Sequence, residues 1–250
     1  MPDRGAGAAD EVDRVVVVVP ARDERATVAE AVRAVLESAA VVRPRVRVDV
    51  VVVADGCRDD TAAQARSAGA AVVEIAAANV GAARRVGCRW ALRRTDDPRR
   101  LWIATTDADS LVPPGWLAAH LDASRRSDAF LGTIELLGAD RDRHLAWAAE
   151  YASLAGRGSH EHVHGASLGV RASAYLAVGG FHELTAHEDR DLVDRLVATG
   201  VEPVRDGRVP VLTSARHDSR VVEGVGPDLA ASVAAARSRS ACMKSAPSGM

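Results

Sequence analysis

Five consecutive β-branched residues, Val15 to Val19, open the regular part of this chain. The stretch "RVVVVVPA" shows no alternation of apolar and polar positions, which predicts a strand covered on both faces, as in a parallel sheet. In "TVAEAVRAVLESA" the period changes, with Val28, Ala31, Val32, Val35 and Leu36 at helical spacing and Thr27 with Glu30 in a capping-box pattern. The strand–loop–helix unit then returns. "VDVVVVA" (48–54) predicts a second strand, and "DGCRDD" a loop whose Asp59 or Asp60 caps an Ala-rich helix closed by Gly69. "AVVEI" (71–75) predicts a third strand, followed by "AAANVG" and a helix from Ala82 to Arg93. "LWIATT" predicts a fourth, followed by Asp107 and a helix from Gly115 to Arg126. Such alternation implies right-handed crossovers and an α/β, doubly wound, mostly parallel sheet with helices on both faces.

Past residue 128 the rhythm loosens. "AFLGTIEL" reads as a strand and "HLAWAAEYASLAG" as a helix. "ASLGVRASAYLAVGGF" reads as a strand, a short helix and a Gly-Gly turn. "HEDRDLVDRLVATG" is an amphipathic helix ending at Gly200, with two short strands, "VEPVRD" and "VPVLTSAR", after it. No repeat or linker interrupts the chain, so one continuous domain is expected over 14–222, between a disordered leader (1–13) and a partly disordered tail (223–250).

Composition narrows the picture. Hydrophobic residues make up 48% and charged residues 26%, ordinary for a soluble globular protein. A formal net charge of -2 gives no bulk attraction to nucleic acid or an anionic membrane. Cys57, Cys88 and Cys242 lie far apart without CxxC spacing, which argues against a disulfide framework or structural zinc site. The stretch "MPDRGAGAADEVDR" does not resemble a signal peptide, and the run Val15–Val19 falls far short of the ~20 residues of a membrane span. The expectation is a cytoplasmic protein with no transmembrane segment, at most peripheral at the inner membrane face.

The polar residues that serve no helix or strand face collect behind the strands. Arg22, Asp23 and Glu24 follow the first, and Asp55-Gly56 the second. Asn79 and Gly81 follow the third, with Arg84 and Arg85 on the next helix, and Asp107 and Asp109 follow the fourth. In open parallel sheets ligands bind at that edge. One such loop is ordinary turn chemistry, and Asp55 alone fits a structural and a functional reading equally. "TTDADSLVPPGWL" differs, because Pro113-Pro114 already supplies the turn and two carboxylates are not needed for it. Converging without a counter-ion they would repel, and one would be driven toward protonation. A divalent cation that prefers hard oxygen ligands, Mg²⁺ or Mn²⁺, removes the conflict and keeps positions open for phosphates.

Taken in order, "VVVVVPARDERATV", "VVVADGCRDDTAAQA", "ANVGAARRVG", "TTDADSLVPPGWL", "GASLGVRASAYLAVGGF" and "HEDRDLVDRL" resemble family 2 glycosyltransferases of the GT-A fold, over roughly residues 14 to 220. Each motif is weak alone; the ordered set is specific. The resemblance implies transfer of a sugar from a UDP- or GDP-sugar donor to the hydroxyl of an unknown acceptor, with Mg²⁺ or Mn²⁺ and usually with inversion. Residues 14–127 would then form the nucleotide-binding half and 128–222 the acceptor half, and a homodimer is compatible with it. Carried over by position, Pro20, Arg22 and Glu24 would line the nucleotide pocket, and Asp55 would reach the base. Asn79, Gly81 and Arg84 would lie near the nucleotide, Asp107 near the ribose and metal, and Asp109 at the metal that bridges the diphosphate. Glu188-Asp189 matches the acidic pair at a helix head, with Asp189 as general base and Glu188 as its support, although acidic residues also favour a first helical turn. His217 loosely matches a third metal ligand, and His164 with Gly165 would touch the acceptor.

Other residues are weaker. His160, His162 and His164, two apart, suit a zinc site on a strand but more often form an exposed loop. His187 equally suits a solvated helix cap, and Trp147 and Tyr151 suit the core better than a sugar platform. Transmembrane helices and a Gln-x-x-Arg-Trp motif are absent from the sequence, which argues against a processive synthase. Three rivals stand beside the transferase. A nucleotide-sugar binding protein would keep the strand-end loops without the chemistry, and a metal-dependent phosphohydrolase could use the paired aspartates. An NAD(P)-dependent oxidoreductase needs a GxGxxG behind a strand, which neither "GAGAAD" nor "NVGAARRVG" supplies.

Overall fold

The computed structural model of the chain describes residues 11–43, 45–137, 160 and 162–214. The strand–helix alternation is realised as β1 (Arg14–Ala21), α1 (Val28–Val42), β2 (Arg47–Asp55), α2 (Thr61–Ser67), β3 (Ala71–Ile75), α3 (Val80–Leu92) and β4 (Leu101–Thr105). Then come β5 (Ser110–Leu111), α4 (Trp116–Ser124), β6 (Ala129–Leu137) and a 3₁₀ turn at Gly165–Ser167. The remainder is β7 (Leu168–Arg171), α5 (Ala172–Ala177), α6 (Glu188–Ala198) and β8 (Val204–Ser214). The expected helix containing Trp147 and Tyr151, the leader up to residue 10 and everything from residue 215, His217 included, lie outside the described residues.

One sheet runs in the order β3-β2-β1-β4-β7-β6-β8-β5. Its first half is parallel throughout, β3 to β2, β2 to β1 and β1 to β4. Beyond β4 the direction alternates: β7 is antiparallel to β4 and β6, β6 is parallel to β8, and β5 is antiparallel to β8. The unbroken apolar run explains the centre. Val15 to Val19 are all fully buried, and the period of two sends them to opposite faces. Val15, Val17 and Val19 pack into the cluster that holds α1 and α4. Val16 and Val18 join the opposite cluster, with Cys88 and Ala91 of α3 and Leu192, Val193 and Leu196 of α6.

Three local expectations are corrected. The capping box of α1 does not form: the Thr27 hydroxyl donates to Glu24 Oε2 at 2.9 Å and makes no cap to the helix. Glu24, in the preceding loop, competes for that hydroxyl, and its carbonyl takes the N–H groups of Thr27 and Val28. The two expected C-terminal strands are one strand, β8, with a register shift opposite Gly132–Ile134. The turn-like "DGR" sits inside it because the buried Asp206 carboxylate accepts from Arg208 backbone and side chain, satisfying the distorted segment internally. The short β5 was not expected; a strand of two residues is too short to show a period.

Within the first cluster lies a fully buried histidine. Trp102 Nε1 donates to His120 Nδ1 at 3.0 Å, and the imidazole packs against Trp116 and Phe130 at centroid distances of 4.3 and 4.2 Å. Burial pushes its pKa down to about 3. Because the folded value lies below the ordinary one, the stability it reflects is complete above about pH 6.5 and is lost as pH falls toward 3. Unfolding free energy measured from pH 7 to 4 should therefore decline, with this group contributing at most about 1.4 kcal/mol per pH unit. His120→Asn, which keeps an acceptor for Trp102, should flatten that decline; an unchanged slope would exclude His120 as its source.

Candidate functional site

The carboxyl ends of β1, β2, β3 and β4 point to one edge, as the parallel register requires. Two sets of residues occupy it. The first joins the loops after β1 and β2. Glu24 N donates to Thr61 Oγ1 at 2.7 Å, Arg25 N to Asp59 Oδ2 at 3.2 Å, and Arg58 N to Asp23 Oδ1 at 2.7 Å. Asp59 also accepts from Thr61 N and Oγ1, so it holds the first turn of α2. Pro20 is the penultimate residue of β1, opposite Val53, and Arg22 lies exposed just beyond the strand. Asp23, Cys57 and Asp59 bring three potential ligand atoms within 4.8 Å of one another, the one such grouping among the described residues. Their oxygens and sulfur are engaged in this loop-to-loop network, with the Cys57 thiol donating to Ala21 O.

The Asp55 carboxylate clamps the turn after β3. Oδ1 accepts from Ala77 N and Ala78 N at 2.7 and 2.8 Å, and Oδ2 from Asn79 N at 2.7 Å. The clamp holds Ala78 at φ +53°, a conformation an L side chain rarely adopts. Asp23 and His187 share that left-handed conformation, so the non-glycine strain sits in the loops around this edge. Asn79 caps α3 by accepting from Ala82 N at 2.8 Å, and its amide donates to Glu183 O at 3.1 Å. A Cβ on Gly81 would lie 2.2 Å from His182 O, so only glycine lets the 182–184 segment rest on α3. Asn79 and Gly81 thereby seat the segment that leads into α6.

The second set answers why two carboxylates follow β4. Arg84, with a side chain only 5% exposed, donates from Nη2 to Asp107 Oδ1 at 2.7 Å and pairs through Nη1 with Glu188 Oε1. A guanidinium from α3 is thus the built-in counter-ion to the head of β4 and the head of α6. Asp189, next along α6, accepts from Gly165 N at 2.7 Å, and Gly165 O accepts from Thr105 Oγ1 at 2.6 Å. A Cβ on Gly165 would fall 2.1 Å from Arg84 Nη2, so glycine is required there for close approach. Arg84, Asp107, Glu188, Asp189 and Gly165 are therefore brought together. Asp109 sits at the mouth, where its carbonyl accepts from Ser214 N.

Arg84 is not the only charge acting on Asp107. Burial drives the Asp107 pKa up, Arg84 opposes it, and the nearby Asp109 and Asp189 charges raise it further. The Asp109 and Asp189 charges thus act on Asp107, and hard oxygen donors so grouped suit a divalent cation. The histidines behave differently from the expected exposed loop. Their rings stack at 6.0 and 5.8 Å and nearly in parallel, with His160 buried on Leu131 O. Stacked rings do not converge their nitrogens, and they form no ligand group. Burial holds the His164 pKa down at about 4, so next to Asp189 it is neutral at pH 7. Thr105 was missed because a strand-terminal threonine reads as part of the apolar run. The Arg84 clasp was missed because its partners lie 23 and 104 residues away in sequence.

Residues 16–148, just over half of the chain, match the family model described as Glycosyl transferase family 2. No curated protein matches the sequence significantly. Among solved structures the fold is similar to S. aureus TarS residues 1–349, at 14% identity and TM-score 0.58, covering 81% of this chain and 60% of that one. It is also similar to the mannosyltransferase PcManGT from Pyrobaculum calidifontis in complex with GDP-Man and Mn²⁺, at 19% identity, TM-score 0.58, and coverage of 84% and 59%. A third is glucosyl-3-phosphoglycerate synthase from Mycobacterium tuberculosis in complex with Mn²⁺, uridine-diphosphate and phosphoglyceric acid, at 19% identity, TM-score 0.53, and coverage of 82% and 72%. The chain thus spans less than two thirds of the first two, and at these identities the likeness is one of fold.

The Asp55 clamp makes a direct prediction. Asp55→Asn turns one acceptor oxygen into a donor facing backbone N–H groups, so chemical denaturation should show a loss of about 1–3 kcal/mol. Amide exchange at Ala77 to Asn79 should speed up in parallel. Unchanged protection there would show that the turn is held by something else.

Proposed function

The chain belongs to glycosyl transferase family 2 and carries its GT-A fold, and from that premise we propose that it transfers a sugar from a UDP- or GDP-sugar to an acceptor hydroxyl, with inversion. The observation that carries the reading is the convergence of Asp107, Asp109 and Asp189 at the carboxyl end of β4, with Arg84 paired to Asp107 and Glu188 beside them. Two of the similar structures hold Mn²⁺ with a guanosine or uridine diphosphate compound, which agrees with it.

Asp107 and Asp109 are the residues that would hold Mg²⁺ or Mn²⁺, with His217 a further candidate outside the described residues. When bound, the ion offsets the negative charge that builds on the departing diphosphate. The chain's own part is to orient and to move a proton. The acceptor oxygen forms a bond to the anomeric carbon while the bond to the diphosphate oxygen breaks, and that oxygen leaves with the electron pair. Asp189 takes the acceptor's proton. Its Oδ2 is held by Gly165 N, and it lies in the first turn of α6. Glu188 is engaged by Arg84 and supports its neighbour. His164, neutral at pH 7, and Gly165 face the acceptor side in this reading. Pro20, Arg22, Glu24, Asp55, Asn79 and Gly81 form the loops of the donor pocket. Among the described residues no helix is long and apolar enough to cross a membrane; a cytoplasmic location belongs to the same reading.

Calorimetry and thermal shift with UDP, GDP and their sugars, with and without Mn²⁺, test this. Saturation at 100 times the Kd should stabilise the fold by about 2.7 kcal/mol. Asp109→Ala should abolish the manganese-dependent part of binding. Asp189→Asn should keep donor affinity and lose turnover by roughly 100-fold or more. If Asp189→Asn leaves turnover unchanged, the base is another group; if no nucleotide binds under any condition, the reading fails.

A further inference from the structure

We infer that Arg84 is a positioning residue, contributing to sugar transfer by its clasp on Asp107 and Glu188 rather than by contact with the nucleotide. This deepens the function proposed above and rests on it. Three observations carry the inference. The Arg84 side chain is 5% exposed and sunk between two carboxylates, so it offers little surface to a ligand. Its guanidinium backs directly onto Gly165, leaving no room for even a Cβ. And Gly165 is pinned on both sides of its own backbone, by Asp189 at N and by Thr105 at O.

These contacts form one chain of custody from the donor side to the base. Asp107 follows β4, Arg84 projects from α3, Glu188 and Asp189 head α6, and the Gly165 peptide lies between guanidinium and Asp189 carboxylate. The same helix, α3, also seats the segment before α6 through Asn79 and Gly81. Two independent contacts therefore register α6 against α3. Fixing Glu188 on Arg84 leaves Asp189 as the acid of the pair not held by that guanidinium. Glu188 is 5% exposed in its side chain and charge-paired, whereas Asp189 is half-buried and held by neutral N–H groups. A guanidinium suits this place because its planar fork engages two carboxylates at once, which an ammonium cannot do with the same geometry.

The test uses the full chain with Arg84→Met, Arg84→Lys, the double variant Arg84→Met/Glu188→Gln, and Gly165→Ala. Arg84→Met alone should lower the melting point, because it strands the buried Glu188 carboxylate. The double variant should recover much of that loss, which separates folding from positioning. Nucleotide release from the donor sugar should drop about 100-fold in Arg84→Met and stay low in the double variant. Arg84→Lys should retain part of the turnover. Calorimetric affinity for UDP or GDP with Mn²⁺ should change less than about threefold throughout. Gly165→Ala, which alters no charge, should reproduce the turnover loss. On the free protein, the Gly165 amide should lose hydrogen-exchange protection in the double variant.

A raised KM with unchanged kcat would make Arg84 a donor contact and overturn the inference. Recovery of turnover together with melting point in the double variant would reduce Arg84 to a structural role and overturn it equally, as would full protection of the Gly165 amide. If the unaltered chain binds neither nucleotide, the functional reading itself fails and the inference falls with it; if it binds and only the variants disagree, the inference alone is lost.

Discussion

A buried guanidinium between two carboxylates is the constraint on which the rest of this site depends. Removing a charge from water is costly, and the penalty is offset only where geometry and hydrogen bonding are good. Arg84 offsets part of that penalty by pairing with Asp107 and Glu188 at once, while its Nε is buried without a hydrogen-bond partner among the described residues. The pairing also limits the neighbours. With Asp109 and Asp189 close by, like charges oppose Arg84 at Asp107, which burial first pushes toward its protonated form. Such a grouping of carboxylates around one arginine offers several hard oxygen donors together. It is well suited to receive a cation together with an anionic ligand.

Around this pair the fold supplies rigidity where backbone is strained. Ala78 keeps its left-handed conformation because Asp55 takes the N–H groups on either side of it. His187 makes a similar turn immediately before the acidic pair, and Asp23 makes another after β1. Each would relax in an unsupported loop. Here the carboxylate of a buried strand end, the close seat on Gly81 and the network through Cys57, Asp59 and Thr61 hold the loops against one another. Strain collected at one edge of an otherwise regular sheet accords with that edge serving as the working surface.

The two halves of the sheet divide the labour differently. The parallel strands β3, β2, β1 and β4 deliver loops in register, because each crossover returns the chain to the same edge. Beyond β4 the sheet turns antiparallel at β7, and this reversal brings Gly165 alongside Thr105. A uniformly parallel continuation would have placed that segment a crossover away. The mixed second half is thus what carries the Gly165 peptide to Asp189. Its irregularity also explains the bulged β8, where a single strand reads as two because Asp206 and Arg208 satisfy each other inside it.

The local sequence was enough for the elements whose physics is local. Five buried valines in a row fix β1 as a two-faced strand, helical spacing fixes α1 and α6, and Asp-Gly and Asn-x-Gly mark the strand ends. Those same residues indicated the edge at which a site would form, since parallel crossovers leave their loops together. What the sequence could not express is which charge meets which. Arg84 reads as a ligand contact because it lies on a loop-to-helix motif, and only folding brings it against Asp107 and, across more than a hundred residues, Glu188. Thr105, Gly165 and the stacked histidines likewise acquire their meaning through packing. Periodicity records how each segment meets a surface averaged over its neighbours. Ion pairing between distant segments depends on individual atoms a few ångströms apart, and that distance exists only in the folded chain.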